Sequence, residues 1–309
     1  MPAATRDAFA EALVRLGSDE RIVVLTGDLR DSTRTEKFEE KYPDRFFDAG
    51  IAEKNMLGIA AGLALSGKIP WACSFSAFVT GRMEVVRVSI AYQEANVRIV
   101  GTHSGIGVGE DGYSQMACED IASIRALPNV AIVNPGDAIS TERAVEYLVE
   151  HRGPAFLRLT RQKLADTHDE GFRFEFGKAV QVRDGSDVAI LATGATLPEA
   201  VAAAERLDAD GTSTRVLDVH TIKPLDEEAV LQAASDCGVV VTVEDHGVHG
   251  GLGGAVAEVL ATRDGRARLR ILGVEGFGES GTSEELYAKH GIDAEGIARS
   301  TREFLDRRS

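Results

Sequence analysis

The amino-acid sequence predicts an α/β fold with two doubly wound domains, each built around a mostly parallel sheet. Short apolar runs alternate with longer segments of helical periodicity, which is the pattern of right-handed β-α-β crossovers. The predicted strands read as apolar runs, as expected where helices cover both faces of a sheet. A polar stretch without periodicity, residues 162–176, interrupts the pattern. We therefore predict a first domain over residues 1–165, a linker over residues 166–180 and a second domain over residues 181–309.

The first domain opens with a predicted helix, because Phe9, Leu13 and Leu16 recur at helical spacing. Six apolar runs then predict strands, and the periodic segments between them predict helices. The helix that starts at Glu53 is apolar on most sides, which is typical of a helix in a protein interior or at an interface. In chain order the strands cover residues 22–26, 46–49, 70–74, 97–101, 131–134 and 155–160, and the helices residues 36–41, 53–65, 78–91, 118–125 and 138–149.

The second domain repeats this alternation on a smaller scale. Its apolar runs are rich in valine, leucine and isoleucine, and each is followed by a segment of helical periodicity. We expect this unit to take part in forming an interface. Its predicted strands cover residues 188–192, 215–219, 239–243 and 269–273, and its predicted helices residues 198–207, 227–234, 254–261, 283–289 and 294–305.

Composition and charge exclude several classes of function. The 309 residues include 49 acidic and 34 basic side chains, for a formal net charge of -15. Such a surface repels nucleic acid and anionic membranes, so we expect neither as a partner. The three cysteines, Cys73, Cys118 and Cys237, are far apart, which argues against a disulfide framework. With neither a signal-peptide pattern nor a bilayer-length apolar run in the sequence, we expect a cytoplasmic location.

Polar and aromatic residues gather just after the strands of the first domain. In open parallel sheets, ligands bind beyond the carboxyl ends of the strands. These positions hold a carboxylate, an imidazole, two aromatic rings, hydroxyls and a guanidinium, which together are typical of a polar active site with an aromatic wall. They comprise Asp28 to Ser32, Glu53, Phe75 to Phe78, Thr102, His103 and Arg161.

Each of these residues also has a simpler structural interpretation. Glu53 could complement the dipole of the helix that it opens, or it could be a partly buried proton shuttle. Phe75 and Phe78 could be core residues or a wall for a planar ring. Arg161 could bind a phosphate through its planar fork or simply be solvated. His103 precedes a glycine-rich loop that would let the backbone approach a ligand closely.

The segment Glu244-Asp-His-Gly-Val-His249 could suggest a metal site. Its spacing does not match the helical HExxH arrangement, and no third cluster of ligating residues accompanies it. We therefore predict no metal ligand in this chain.

Five motifs together resemble transketolase. They are Asp28-Leu-Arg-Asp-Ser-Thr33, Gly50-Ile-Ala-Glu-Lys-Asn-Met56, Cys73-Ser-Phe-Ser-Ala-Phe78, Gly101-Thr-His103 and Gly109-Glu-Asp-Gly-Tyr-Ser-Gln-Met116. The resemblance covers only the later part of that family, the pyrimidine-binding domain followed by the C-terminal domain. The family's metal motif, Gly-Asp-Gly followed by Asn, is absent from this sequence. The resemblance therefore implies the C-terminal subunit of a split transketolase.

The resemblance also implies a role for each matching residue. Glu53 matches the glutamate that bonds N1′ of the aminopyrimidine of thiamine diphosphate and promotes its imino tautomer. Phe78 matches the aromatic residue that stacks on that ring, with Phe75 beside it, and Gln115 stands at a position where family members carry histidine or glutamine. The remaining matches concern the substrate: His103 and Asp111 contact sugar hydroxyls, and Ser32 and Arg161 contact the phosphate end.

The implied reaction transfers a two-carbon ketol unit from a ketose phosphate to an aldose phosphate, with pentose-phosphate sugars as the default substrates. Thiamine diphosphate is the cofactor, and Mg²⁺ or Ca²⁺ would be held by an N-terminal partner subunit. We expect a heterotetramer of two such chains and two partners, active only when complete. Two alternatives stay open: a subunit of another thiamine enzyme, such as deoxyxylulose-phosphate synthase or the β chain of a 2-oxoacid dehydrogenase, or a non-catalytic assembly subunit.

Overall fold

The structure is a computed structural model that describes residues 2–307. Two sheets with helices on their faces make up most of it. In chain order the strands are β1 Ala3–Ala4, β2 Ile22–Thr26, β3 Phe46–Asp48, β4 Ile69–Phe75, β5 Arg98–Thr102, β6 Ala131–Val133, β7 Ala155–Arg158, β8 Lys163–Leu164, β9 Val180–Arg183, β10 Val188–Thr193, β11 Thr214–Asp218, β12 Thr221–Lys223, β13 Val239–Gly247 and β14 Arg268–Val274.

The α-helices fall between the strands, as the alternating sequence pattern predicts. In chain order they are α1 Thr5–Leu16, α2 Arg30–Thr33, α3 Glu36–Lys41, α4 Glu53–Leu65, α5 Ser76–Thr80, α6 Met83–Val85, α7 Asp120–Arg125, α8 Ala138–Glu150, α9 Leu197–Ala209, α10 Glu227–Cys237, α11 Leu252–Thr262, α12 Ser283–His290 and α13 Ala294–Asp306.

The first sheet has seven strands in the order β12-β6-β7-β5-β4-β2-β3. Every pairing in it is parallel except that of β12 with β6. Its strands β2, β4 and β5 are buried at every residue, because hydrophobic clusters cover both faces of the sheet. This confirms the predicted α/β fold with a mostly parallel sheet.

The second sheet has five strands in the order β14-β13-β10-β11-β9. Its strands pair in parallel except for the edge strand β9, which runs antiparallel to β11. Its two faces are covered by separate hydrophobic clusters. The fold of the second half is therefore also the doubly wound type that the sequence predicts. The boundaries 165/166 and 180/181 stay predictions.

Two strand pairings bring together distant parts of the chain in ways that the sequence pattern does not reveal. Strand β12 belongs to the C-terminal half, yet Thr221 and Lys223 pair with β6 of the first sheet. Strand β8, inside the polar stretch, pairs with β1 at the N-terminus. Both segments are two or three residues long, which is too short to show a period of two.

The predicted helix over residues 78–91 is wrong in detail. Helix α5 already begins at Ser76 and ends at Thr80. A second helical segment, α6, begins at Met83 and continues as a π-helix over Val86–Ala91. The hydroxyl of Thr80 donates to the carbonyl of Ser76 at 2.7 Å, which satisfies the backbone at the break. No helix in the described part of the chain is long and apolar enough to cross a bilayer.

Candidate active site

A cleft of about 520 Å³ opens at the carboxyl ends of β2 and β4. It contains five of the eight residues predicted for the site. Among its described lining residues are three carboxylates and no lysine or arginine. The lining consists of Gly27, Asp28, Leu29, Ile51, Glu53, Phe75, Phe78, Asp111 and Gln115.

Glu53 is the first residue of α4 and is only 5% exposed. The Ser74 hydroxyl donates to its Oε1 at 3.3 Å. A Cβ atom on Gly27 would lie 3.4 Å from the same oxygen, so the carboxylate packs closely against the end of β2. Among residues 2–307, the bond from Ser74 is the hydrogen bond that the Glu53 side chain makes, and Oε2 accepts none. Because Glu53 lines the cleft, this oxygen is available as an acceptor for a ligand.

The two predicted aromatic residues form one wall of the cleft. The rings of Phe75 and Phe78 are stacked, with centroids 5.4 Å apart, and Phe75 also stacks on His103 at 3.8 Å. Phe75 ends β4, and Phe78 lies on the short helix that begins at the next residue. A planar ring between this wall and the Glu53 carboxylate would meet an apolar face and a hydrogen-bond acceptor.

His103 is a neutral base with a defined tautomer. Its Nε2 lies 3.0 Å from the guanidinium of Arg6, which can only donate, so Nε2 is the acceptor. Nδ1 therefore carries the proton and donates to the Thr102 hydroxyl at 2.9 Å. Burial, reinforced by Arg6, Arg161 and Arg34, lowers the pKa of His103 to about 3. The ring is consequently uncharged at physiological pH.

Three arginines from separate elements surround His103. Arg161 donates to Asp111 at 3.0 Å, and Arg34 donates to Asp7 at 2.9 Å. Arg6 donates to the carbonyl of Ser32 at 2.9 Å, while its Nε is buried with no hydrogen-bond partner among the described residues. Burial and the charge of Arg34 lower the pKa of Arg6. We call Arg6, Arg34 and Arg161 the arginine cluster; its unpaired N–H and mutual repulsion favour an anion.

Unusual backbone conformations accompany these side chains. Six non-glycine residues in the described chain have positive φ, and three of them, Asp28, Arg34 and His103, belong to this region. Such conformations cost about 1–3 kcal/mol each and concentrate at functional sites. The surrounding structure must therefore hold these three residues in place.

The structure brings all eight predicted site residues to one edge of the first sheet. Glu53, Phe75, Phe78, Asp111 and Gln115 line the cleft. His103 adjoins it by stacking on Phe75, Arg161 by pairing with Asp111, and Ser32 through the Arg6 contact shared with His103. The structure tests only where these residues lie, so the role assigned to each stays a prediction.

Sequence reasoning missed Arg6 and Arg34. Arg6 lies in the first turn of α1, before the first long strand, so the strand-end rule does not select it. Arg34 comes directly after α2, and its left-handed conformation carries no sequence signal because arginine is not typical of that region. No pattern in the sequence distinguishes these two arginines from solvated ones.

Of the three acidic and histidine residues at the end of β13, Asp245 and His246 connect the two halves of the chain through hydrogen bonds, whereas Glu244 bonds within the second half. Glu244 accepts the N–H groups of Leu252 and Gly253 at the start of α11, and Asp245 accepts from Ile106 and Gly107. The N–H of Ala122 donates to His246. Within residues 2–307, no group of three or more His, Cys, Asp or Glu side chains is arranged to hold a metal ion.

Comparison with known proteins places this fold and cleft in a family. The model of the transketolase pyrimidine-binding domain matches residues 1–167, and that of the transketolase C-terminal domain matches residues 177–297. The "Putative transketolase C-terminal section" of Methanocaldococcus jannaschii is 45% identical over 97% of this chain and 96% of its own length. The "6-deoxy-6-sulfo-D-fructose transketolase subunit SqwH" of Clostridium sp. (strain MSTE9) is 40% identical over 98% and 95%.

A solved structure, "Split gene transketolase, inactive beta4 tetramer", superposes on this chain with a TM-score of 0.90. Its sequence is 39% identical, and the match covers 99% of both chains. The chain therefore belongs to the transketolase family, a family of transferases. Within that family it corresponds to the subunit of a split transketolase that carries the pyrimidine-binding and C-terminal domains. Thiamine diphosphate is the cofactor that the family implies.

Proposed function

We propose that this chain, together with an N-terminal partner subunit, transfers a two-carbon ketol unit from a ketose phosphate to an aldose phosphate. The observation that carries the proposal is the buried Glu53 carboxylate, which presents an unpartnered oxygen to a cleft walled by Phe75 and Phe78. A non-catalytic assembly subunit would have no need of a buried carboxylate without a second partner, since burying one is costly.

The cleft fits the pyrimidine half of thiamine diphosphate. Glu53 would hold N1′ of the aminopyrimidine through Oε2, and Phe75 and Phe78 would contact the face of the ring, with Gln115 at the edge. When bound, this cofactor supplies a nucleophilic carbon and an electron sink for cleaving the bond beside a carbonyl. Glu53 would hold the proton at N1′ and thereby select the tautomer of the neighbouring amine.

The diphosphate half does not fit the described lining. A diphosphate needs cations or a metal, whereas this cleft offers Asp28, Glu53 and Asp111. We infer that the N-terminal subunit holds the diphosphate together with Mg²⁺ or Ca²⁺ and closes the cleft. The solved relative is described as an inactive β4 tetramer, and we infer that this chain alone likewise self-associates without activity. Two copies of each subunit would form the active heterotetramer.

The arginine cluster supports an anionic end on the sugar. Arg161, Arg6 and Ser32 would contact that anion, while Asp111 and His103 would contact hydroxyls nearer the cleft. Sugars of the pentose phosphate pathway, in the cytoplasm, are the default substrates. The Clostridium relative is described as a transketolase subunit for a sulfonated fructose. A sulfonate is an anion like a phosphate, and the arginine cluster of this chain would attract either.

The test assays the purified chain with thiamine diphosphate, Mg²⁺ and xylulose 5-phosphate plus ribose 5-phosphate, with and without its N-terminal partner. We expect turnover only from the mixture. Glu53→Gln keeps an acceptor for Ser74 but cannot hold the proton, so turnover should fall by about 10²–10⁴-fold. Glu142→Gln removes a partly exposed carboxylate on α8, remote from the cleft lining, that pairs with Arg15, and it serves as the control. Robust activity of the single chain, or unchanged turnover of Glu53→Gln, would contradict the proposal.

A further inference from the structure

The C-terminal half of the chain forms several hydrogen bonds with the loop that carries Asp111. This loop, residues 104–117, leaves β5 after His103 and returns to α7. Asp245, at the end of β13 in the second sheet, is fully buried. Its Oδ1 accepts the N–H of Ile106 at 2.8 Å, and its Oδ2 accepts the N–H of Gly107 at 3.3 Å. One side chain of the second sheet thus holds two consecutive backbone groups of a loop that lines the cleft.

Tyr287 on α12 completes this contact. Its hydroxyl donates to Oδ2 of Asp245 at 2.7 Å and accepts from the side-chain amide of Gln162 at 2.9 Å. Gln162 is the residue after Arg161, which pairs with Asp111 at 3.0 Å. The hydroxyl of Ser283, at the start of α12, also donates to the carbonyl of Gly107 at 2.9 Å. Asp245 and α12 therefore contact the chain near both partners of the Arg161–Asp111 pair. They bond the loop that carries Asp111, and Tyr287 of α12 bonds the residue that follows Arg161.

The glycines of the loop show how close this approach is. A Cβ atom on Gly105, where φ is +74°, would lie 2.2 Å from the carboxylate of Asp245. A Cβ atom on Gly112 would lie 2.6 Å from the hydroxyl of Ser280, in the segment before α12. Glycine at these two positions leaves room for Asp245 and Ser280 to pack directly against the backbone of the loop.

Resting on the proposed function, we infer that Asp245 is a positioning residue for the sugar end of the site. By fixing the backbone of Ile106 and Gly107, with Tyr287 bracing its carboxylate, Asp245 sets where Asp111 stands in the cleft. The C-terminal half thereby holds the substrate-facing loop of the other half in its binding geometry. Among the described residues, the side-chain hydrogen bonds of Asp245 go to Ile106, Gly107 and Tyr287. None of these partners lies on α4 or α5, which carry the pyrimidine-facing residues Glu53 and Phe78.

The experiment compares Asp245→Asn and Tyr287→Phe with Glu244→Gln in the full chain. Asparagine keeps the size of the aspartate but places an N–H₂ group among groups that donate. Glu244, the adjacent residue, is equally buried, yet its hydrogen bonds go to the start of α11. Glu244→Gln therefore shows the effect of removing a buried carboxylate while the hydrogen bonds between Asp245 and the loop remain.

The first readout is amide hydrogen exchange of peptides spanning residues 104–117 in the free chain, measured by mass spectrometry. We expect exchange at least about tenfold faster in Asp245→Asn, an intermediate effect in Tyr287→Phe, and no change in Glu244→Gln. Equal exchange in Asp245→Asn and Glu244→Gln overturns the inference. If Asp245→Asn does not fold, the comparison is made between Tyr287→Phe and Glu244→Gln. Equal exchange of residues 104–117 in these two variants then overturns the inference. This readout needs no activity, so it stands even if the proposed function fails.

The second readout is steady-state kinetics of the chain with its N-terminal partner. Because Asp111 lies at the sugar end, Asp245→Asn should raise KM for the ketose about tenfold, equivalent to about 1.4 kcal/mol. Its affinity for thiamine diphosphate should stay within about twofold of the unsubstituted enzyme. An equal loss of ketose and cofactor affinity, or a KM equal to that of Glu244→Gln, would show a general structural role and overturn positioning. Absence of ketol transfer by the unsubstituted pair would instead refute the proposed function.

Discussion

The buried charges of Asp120 and Arg158 should be more strongly coupled to each other than the charges of the surface ion pairs of this chain. Arg158 Nε donates to Oδ2 of Asp120 at 2.8 Å, with side-chain exposures of 1% and 0%. The same Asp120 oxygen accepts the Ser76 hydroxyl at 2.6 Å, and Arg158 also donates to the carbonyls of Ala117 and Asp245. The pair thus ties α7 to α5, to the loop before α7 and to the second sheet.

Removing one partner should cost about 3–5 kcal/mol, because it leaves an uncompensated buried charge. We expect this cost for Arg158→Met and for Asp120→Asn. The double variant removes both charges of the pair together, so it should be less destabilised than the sum of the single variants by about 2–3 kcal/mol. A protein with a stability of about 5–15 kcal/mol would keep its fold in the double variant but be marginal in either single one.

The assay is urea unfolding followed by circular dichroism at one fixed protein concentration, with the four free energies combined in a double-mutant cycle. Arg206 and Glu295 give a matched surface control, since they are 2.7 Å apart but about half exposed. Their coupling energy should not exceed about 1 kcal/mol. A coupling between Asp120 and Arg158 no larger than that of the control would refute the argument from burial.

The same pair predicts a loss of stability in acid. Burial alone would raise the pKa of Asp120, but Arg158, His246 and the Ser76 hydroxyl outweigh it and hold the pKa below its usual value. A carboxyl with a depressed native pKa stabilises the fold above its unfolded pKa and loses that effect as the pH falls through the native value. The added stability should therefore disappear below about pH 4, and Asp120→Asn should flatten that part of the pH profile.

Two further predictions concern the loop and the histidine. Gly105→Ala should lower Tm more than Gly153→Ala, because both glycines have positive φ but only a Cβ on Gly105 meets a neighbour, the Asp245 carboxylate; thermal melts that agree within error would contradict this. Burial and the arginine cluster depress the pKa of His103, so protonation favours the unfolded chain, and stability should fall as the pH drops from about 6.5 toward 4. Chemical denaturation of His103→Gln should show a weaker decline over that range, and identical declines would contradict this.

The fold was predictable because burial on both faces leaves a strong sequence signal. Strands such as β4 and β10 are mostly apolar and buried at every residue, and the helices between them have clear periodicity. The site was predictable in outline for a topological reason: parallel strands end at one edge, so Glu53, Phe75 and His103 had to lie close together. The residues that come directly after a strand can be identified from the local sequence, so one sequence without an alignment is enough to select them as site candidates.

The rest depends on contacts between distant residues, which a single sequence does not record. Arg6 reaches His103 across 97 positions, and Asp245 reaches Ile106 across 139. Strand β12 joins the first sheet over three residues, too few to show a pattern. Glu244 and Asp245 adjoin a histidine in sequence, which invites the idea of a metal, but their hydrogen-bond partners show a structural connection instead.

The separation of charge at the site implies the direction in which an anionic substrate binds. The cleft is lined by Asp28, Glu53 and Asp111, whereas the arginine cluster lies beyond Asp111 around His103. On a chain of net charge -15, an anionic group is repelled from the carboxylates and attracted only where the arginines concentrate. Under the proposed function, the phosphate therefore binds at the arginine cluster and the sugar carbonyl extends toward Glu53. Under the same proposal, Asp111 lies between the two and would contact the hydroxyls along the sugar, and Asp245 of the second sheet would act on Asp111 through the backbone of its loop.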